Sequence, residues 1–233
     1  MRRTAGDLDA MNPQLILGMM ALNRKLVWWA ADDSRDPWSL GNQVLYDLCA
    51  SHPEHRDDRV ILAKVWLIGR AYSAAVERRR TLRDTATMGD RFYTKVVAPG
   101  IAASGIDDWL NGLPPHSDPE SALASALLIH GKLVELLRQL TGLEKRSLAS
   151  KYLHFHRPDV FLLYDERAAR ATRRLSTGRN PHRPPPALES DAVYHVFCHR
   201  ALAIRSDVLK KFGVELTPRQ LDRLLLAVAD SRG

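Results

Sequence analysis

The chain has 233 residues, 45% of them apolar, which suits one soluble domain or two small lobes sharing a cleft. Lys and Arg number 34 against 27 Asp and Glu, and the net charge of +7 favours a polyanionic partner. With only Cys49 and Cys198, far apart, a disulfide framework and a cysteine-rich metal knuckle are both excluded.

The opening MRRTAGDLDAMNPQ carries two arginines but is interrupted by Asp7, Asp9 and Pro13. The ILGMMAL that follows is too short and too quickly charged for a membrane span, and no signal-peptide pattern follows it. A cytoplasmic protein without membrane contact is expected, and a monomer. Apolar residues then recur at three- and four-residue intervals, the helical period. This spacing predicts helices over 14–32, 40–52 and 58–80, the last with Ile61, Val65, Ile68, Tyr72 and Val76 on one face. A further helix starts near GDRF and breaks at Pro99.

A helix over 117–141 opens with a Ser or Asp cap and proline and stops at Gly142, a natural C-cap. Shorter helices are expected from about Lys145 to Phe155 and from about Asp165 to Leu175. The proline-rich segment 177–191 is the clearest break, and two helices close the chain, the last over 217–230 with a Thr N-cap and proline after it. The expectation is a single all-α domain, with helical lobes at about 1–115 and 116–233.

Chemistry concentrates in LTGLEKRSLASKYLHFHRPDVFLLYDERAARATRR, residues 140–174. Leu140, Gly142 and Leu143 fit the second half of a helix–hairpin–helix, with Thr141 and Glu144 replacing the usual proline and second glycine. Downstream, Asp165 follows the small residue Ala149 by 16 positions and closes an apolar run, Phe161 to Tyr164. Together these resemble the helix–hairpin–helix DNA glycosylase superfamily, the endonuclease III and oxoguanine glycosylase group.

The resemblance implies two helical lobes around a cleft and a double-stranded DNA partner. It also implies an aspartate, here Asp165, capping a helix at the mouth of a base pocket. Bifunctional members carry a lysine nucleophile where this chain has Ser147; Lys151 lies one helical turn later. No cysteine cluster follows, so the iron–sulfur loop of some members is absent. The implied activity is a monofunctional hydrolase that needs no cofactor. Its substrate is a modified base, for instance a hypermodified base such as glucosylated hydroxymethylcytosine in phage DNA, which would make it an anti-phage defence enzyme. In such chemistry the N-glycosidic bond breaks with positive charge growing on the sugar, and a nearby carboxylate stabilises it. The base must first be flipped from the stack.

Each candidate has a plainer alternative. Asp165 can be a helix N-cap alone, and Lys151 a solvated helix residue. Gly142, Lys145, Arg146 and Ser147 are expected at a backbone phosphate, as at other helix N-termini. Arg167, Arg170, Arg173 and Arg174 recur along one broad helix face, extended by Arg179 and Arg183; they bind phosphate or only solvate the helix. Arg78, Arg79, Arg80 and Arg83 form a second basic cluster. Arg70 and Glu77 are expected on one helix face, either as a buried ion pair or, with Tyr72, Phe92, Tyr93 and His154, as walls of the base pocket. His154 with His156, and His195 with Cys198 and His199, lack a complete zinc spacing, so no metal is expected. Two competing readings are a non-catalytic DNA-binding or regulatory protein and an all-α ribonuclease. The second lacks its usual signature, because none of the nine histidines has an arginine five to seven residues upstream.

Overall fold

The computed structural model describes residues 22–77, 90–115, 117–176 and 191–231. Among these, every regular element is helical and none is a strand. In chain order they are α1 (Arg24–Ala31), α2 (Ser39–Ser51), α3 (Asp58–Ala71), α4 (Asp90–Phe92, Tyr93–Val97 and Ala98–Ala102), α5 (Ile106–Asn111), α6 (Leu123–Thr141), α7 (Arg146–His156), α8 (Glu166–Leu175), α9 (Ala192–Phe212) and α10 (Pro218–Asp230).

Local chemistry sets most of these boundaries. Thr217 caps α10 through a reciprocal capping box with Gln220, and Pro218 occupies the first turn, where its missing amide costs nothing. Gly142 ends α6 in the left-handed conformation at φ 73°, as its position in the sequence leads one to expect. The predicted start at 117 is a turn instead: the Asp118 carboxylate takes the Glu120 and Ser121 amides at 2.9 and 3.4 Å, and the helix proper begins at Leu123. The expected break at Pro99 is a widening. Because Pro99 has no amide to donate, the preceding turn over Tyr93–Val97 becomes a π-helix, and the Ala98 amide reaches back to the Tyr93 carbonyl.

The long helix expected over 58–80 stops at Ala71. Ser73 turns the chain at φ 51°, and Ala75 folds back over Gly69, where an added Cβ would sit 3.1 Å from the Ala75 Cα. The gain is burial: Val76 becomes fully enclosed in the core. Residues 14–21 of the first expected helix, and the proline-rich segment up to residue 190, lie outside the described residues.

Two apolar clusters hold the helices. The first gathers α3, α4 and α5 with the inner faces of α2, α6 and α7, and includes Ile61, Phe92, Leu133 and Leu153. The second gathers α1, α8, α9 and α10, and includes Val27, Ala168, Tyr194 and Leu224. The clusters cross residue 115 in both directions, since α6 and α7 serve the first and α1 serves the second. Between them runs a buried non-helical segment, residues 161–164, with Phe161 in the first cluster and Leu162 and Tyr164 in the second. No helix among the described residues is long and apolar enough to cross a membrane.

Candidate active site

A non-helical segment buried in a helical protein has no neighbouring strand to satisfy its backbone, so side chains must do so. Helix α7 supplies three of them. His154 meets the Phe161 carbonyl through Nδ1 at 2.8 Å. Ser150 Oγ receives the Tyr164 amide at 3.0 Å, and Lys151 Nζ donates to the Tyr164 carbonyl at 2.9 Å. From α9, the Tyr194 hydroxyl donates to the Leu162 carbonyl at 2.8 Å. This stapling fixes the residue that follows, Asp165.

Asp165 is the N-cap of α8, with extended backbone angles of −146° and 170°. One oxygen accepts the Ala168 amide at 2.7 Å; the other takes no hydrogen bond among the described residues. The carboxylate therefore sits at the positive end of a helix. Lys151 is 3% exposed, and its ammonium also donates to Ser147 Oγ at 2.7 Å. Burial lowers the Lys151 pKa, while Asp165 and Asp222 pull it back up.

A neighbouring set of side chains comes from α10 and the end of α3. Two cations approach the Tyr72 ring, Lys151 Nζ at 5.8 Å and the Arg219 guanidinium at 5.5 Å from its centroid. Its hydroxyl donates to Asn42 Oδ1 at 2.6 Å, and Asn42 in turn donates to Asp36 at 3.3 Å. Arg219 reaches Asp222 at 3.5 Å and Asp36 at 3.7 Å, and its buried Nε has no hydrogen-bond partner among the described residues.

Beside this set opens a pocket of about 540 Å³, lined among others by Asp36, Asn42, Tyr46, His154, Phe155 and Arg219. The Tyr46 hydroxyl meets His154 Nε2 at 2.8 Å. Because His154 Nδ1 faces a carbonyl it carries the proton, so Nε2 accepts from Tyr46. Burial holds this imidazole neutral, its pKa lowered to about 3.

Four residues of this corner carry weak sequence signals. Arg219 and Asp222 read as the polar face of an amphipathic helix, and Asn42 and Tyr46 as ordinary members of α2. The one available sign is that Arg219, Asp222 and Arg223 interrupt a leucine-rich helix; all three are buried or nearly so.

The other expected site residues fall in three places. Arg70 pairs with Glu77 at 2.5 Å, across the turn rather than along one helix, and Glu77 also accepts from the Tyr93 hydroxyl. Of this trio, Tyr93 belongs to the first core. Phe92 is 1% exposed and belongs to that core, so it offers no stacking face.

The turn after α6 differs from a phosphate cradle. The Gly142 amide is spent on the Arg138 carbonyl at 2.8 Å, and the Leu143 amide on Thr141 Oγ1 at 3.1 Å. The first turn of α7 has no side-chain cap, so its amides stay available beside Lys145 and Ser147. Arg146 is structural: it binds Asp191 at 2.6 Å and Glu144 at 2.9 Å, tying α7 to the cap of α9.

In the arginine run, Arg167 pairs with Asp230, Arg173 with Glu166, and Arg174 donates to the Val228 carbonyl at 3.3 Å. Arg170 is exposed and makes no ion pair among the described residues. Arg78, Arg79, Arg80, Arg83, Arg179 and Arg183 lie outside the described residues. Among the described residues, no group of three or more His, Cys, Asp or Glu is placed to hold a metal ion.

No family model matches this sequence, and no curated protein and no solved structure matches the chain.

Proposed function

We propose that this chain is a DNA N-glycosylase that releases a modified base by hydrolysis and leaves an abasic site. The observation that carries the reading is the corner around Asp165. A helix-capping carboxylate keeps one oxygen free, held in place by a stapled segment and set beside a buried lysine. That arrangement suits stabilising positive charge on a sugar and orienting the attacking water. Lys151 already donates two hydrogen bonds from a buried position, so its part is to position Tyr164 and Asp165 rather than to form a Schiff base. A flipped base then occupies the side of the Tyr72 ring and the adjoining pocket, whose volume of about 540 Å³ accommodates a base enlarged by a polar substituent. A glycosylated pyrimidine of phage DNA is such a base, and its removal would act as a defence. The uncapped start of α7, with Lys145, and the exposed Arg170 supply phosphate contacts to the duplex.

The test measures base release by mass spectrometry from duplexes of differing base modification. Asp165→Asn should retain duplex binding and lose about a hundredfold or more in rate. Borohydride should trap no protein–DNA adduct. Full base release by Asp165→Asn would remove the central claim, and trapping abolished in Lys151→Ala would make Lys151 a nucleophile. Duplex binding with no base release from any substrate would leave a non-catalytic DNA-binding protein.

A further inference from the structure

The pocket of about 540 Å³ has two linings of different character. One is apolar, where the Tyr46 and Phe155 rings stand with centroids 4.8 Å apart. The other is a charged pair: Asp36, just before α2, and Arg219, in the first turn of α10, lie 3.7 Å apart and are both largely buried. A guanidinium carries five N–H donors, and one so enclosed is normally well bonded. The one hydrogen bond of this guanidinium among the described residues goes to Asp222 at 3.5 Å, the edge of hydrogen-bonding distance. Asp36 is unevenly used as well. Its Oδ1 accepts the Trp38 amide at 3.0 Å, while Oδ2 accepts from Asn42 alone among the described residues, at 3.3 Å. Donor and acceptor capacity thus stand side by side in one cavity.

The charge of the lining narrows what can use that capacity. Each carboxylate lining the pocket has a cation of its own: Asp36 has Arg219, Asp33 has Arg223 at 3.4 Å, and Asp159 has Arg157 at 2.9 Å. A phosphate or carboxylate ligand would meet three carboxylates, and a cation would meet Arg219; a neutral ligand meets neither cost. A hydroxyl suits the pair, since it donates its proton to Asp36 Oδ2 and accepts from Arg219 through a lone pair. Several hydroxyls on a compact ring with C–H faces suit the aromatic lining too. The volume lies in the range of small-molecule sites and exceeds what a bare pyrimidine fills. Asn42 ties this polar end to Tyr72, accepting the Tyr72 hydroxyl at 2.6 Å while donating to Asp36.

We propose that Asp36 and Arg219 are the specificity-determining residues of the site, reading the hydroxyls of a neutral sugar attached to the target base. This rests on the glycosylase reading. Tyr46 and Phe155 cover the C–H face of the sugar, and Asn42 holds Asp36 in place. The pair touches the substituent and not the bond that breaks, so it decides which base is accepted. A base without the sugar leaves these buried polar groups unpaired, and discrimination of that kind reaches about 10⁴.

The experiment compares duplexes carrying hydroxymethylcytosine with and without a glucose on its hydroxyl, each anomer assayed separately. Equilibrium binding by fluorescence anisotropy and single-turnover base release are both measured. Wild type should favour one glucosylated duplex by about a hundredfold or more. Asp36→Asn keeps the shape of the side chain and loses its charge, so it should cut that preference about tenfold or more and leave binding of unmodified duplex unchanged. The same preference in Asp36→Asn, or a wild type that treats all the duplexes alike, would overturn the proposal. If Asp36→Asn does not fold, wild type is tested on sugars with single hydroxyls replaced by hydrogen. A loss of about tenfold or more at one or more positions supports the proposal, and equal rates for every deoxy sugar overturn it. Base release from all duplexes at one rate removes the sugar pocket and keeps the glycosylase reading. Tighter binding of a glucosylated duplex with no base release, and with the preference lost in Asp36→Asn, removes the glycosylase reading and keeps the pocket.

Discussion

At the scale of single residues, the lettering SLASKYLHFH has a structural meaning that its composition hides. Ser150, Lys151 and His154 project from one stretch of α7, and each makes a hydrogen bond to the backbone of residues 161–164. The sequence signals Asp165 well, because a short polar residue after an apolar run and before a helical one is a cap. It does not signal the staples, because their partners are carbonyls and amides, which every residue carries. Ser150→Ala would leave the Tyr164 amide buried without its partner, at a cost of about 1–3 kcal/mol. Urea unfolding should register that loss, and base release should fall with it because Asp165 is less well held. A variant as stable and as active as the parent would show that the staple is dispensable.

At the scale of elements, caps and periodicity locate α7, α8 and α10 to within a few residues, and the end of α6 at Gly142 though not its start, since these signals are local. The end of α3 is not local. It is decided by Val76 returning to the core and by Glu77 finding Arg70 and Tyr93, contacts that no window of helical spacing contains. The turn from α6 to α7 is different again, since its one special requirement is the backbone at Gly142. An added Cβ there would meet nothing within 4 Å, so only the φ of 73° opposes a side chain. Gly142→Ala should therefore cost about 1 kcal/mol through backbone strain alone, with the α7 corner intact. A loss several times larger in urea unfolding would mean that the turn does more than end a helix.

At the scale of the whole molecule, burial governs the response to acid. His130 and His154 are fully enclosed, and burial lowers their pKa values from 6.5 to about 4 and about 3. Both fold as neutral imidazoles, so their contribution is complete above the unfolded value of 6.5 and is lost as pH falls toward 4 and below. Asp222 acts in the opposite sense. Raised to about 6, it favours the folded state increasingly as pH falls below that value, and so offsets part of the loss. The melting temperature should decline between pH 6.5 and 4, and His154→Gln should flatten the decline. Were the parent's melting temperature level across that range, the buried imidazoles would not be limiting.

The two parts of the candidate site also differ in how far the chain must travel to build them. The α7 staples before Asp165 join residues 7, 13 and 14 apart, short loops whose closure costs little entropy, and the Tyr194 staple spans 32. Helix α10, which carries Asp222, is tied instead to the other end of the described chain. Gln220 binds the Ala31 carbonyl at a separation of 189 residues, and Arg223 the Trp29 carbonyl at 194. During synthesis the corner around Asp165 can therefore assemble while α10 is still unmade, whereas the neighbouring set closes only when the last helix meets α1. Until that long closure, the corner around Asp165 stands without the contacts that α10 brings to it.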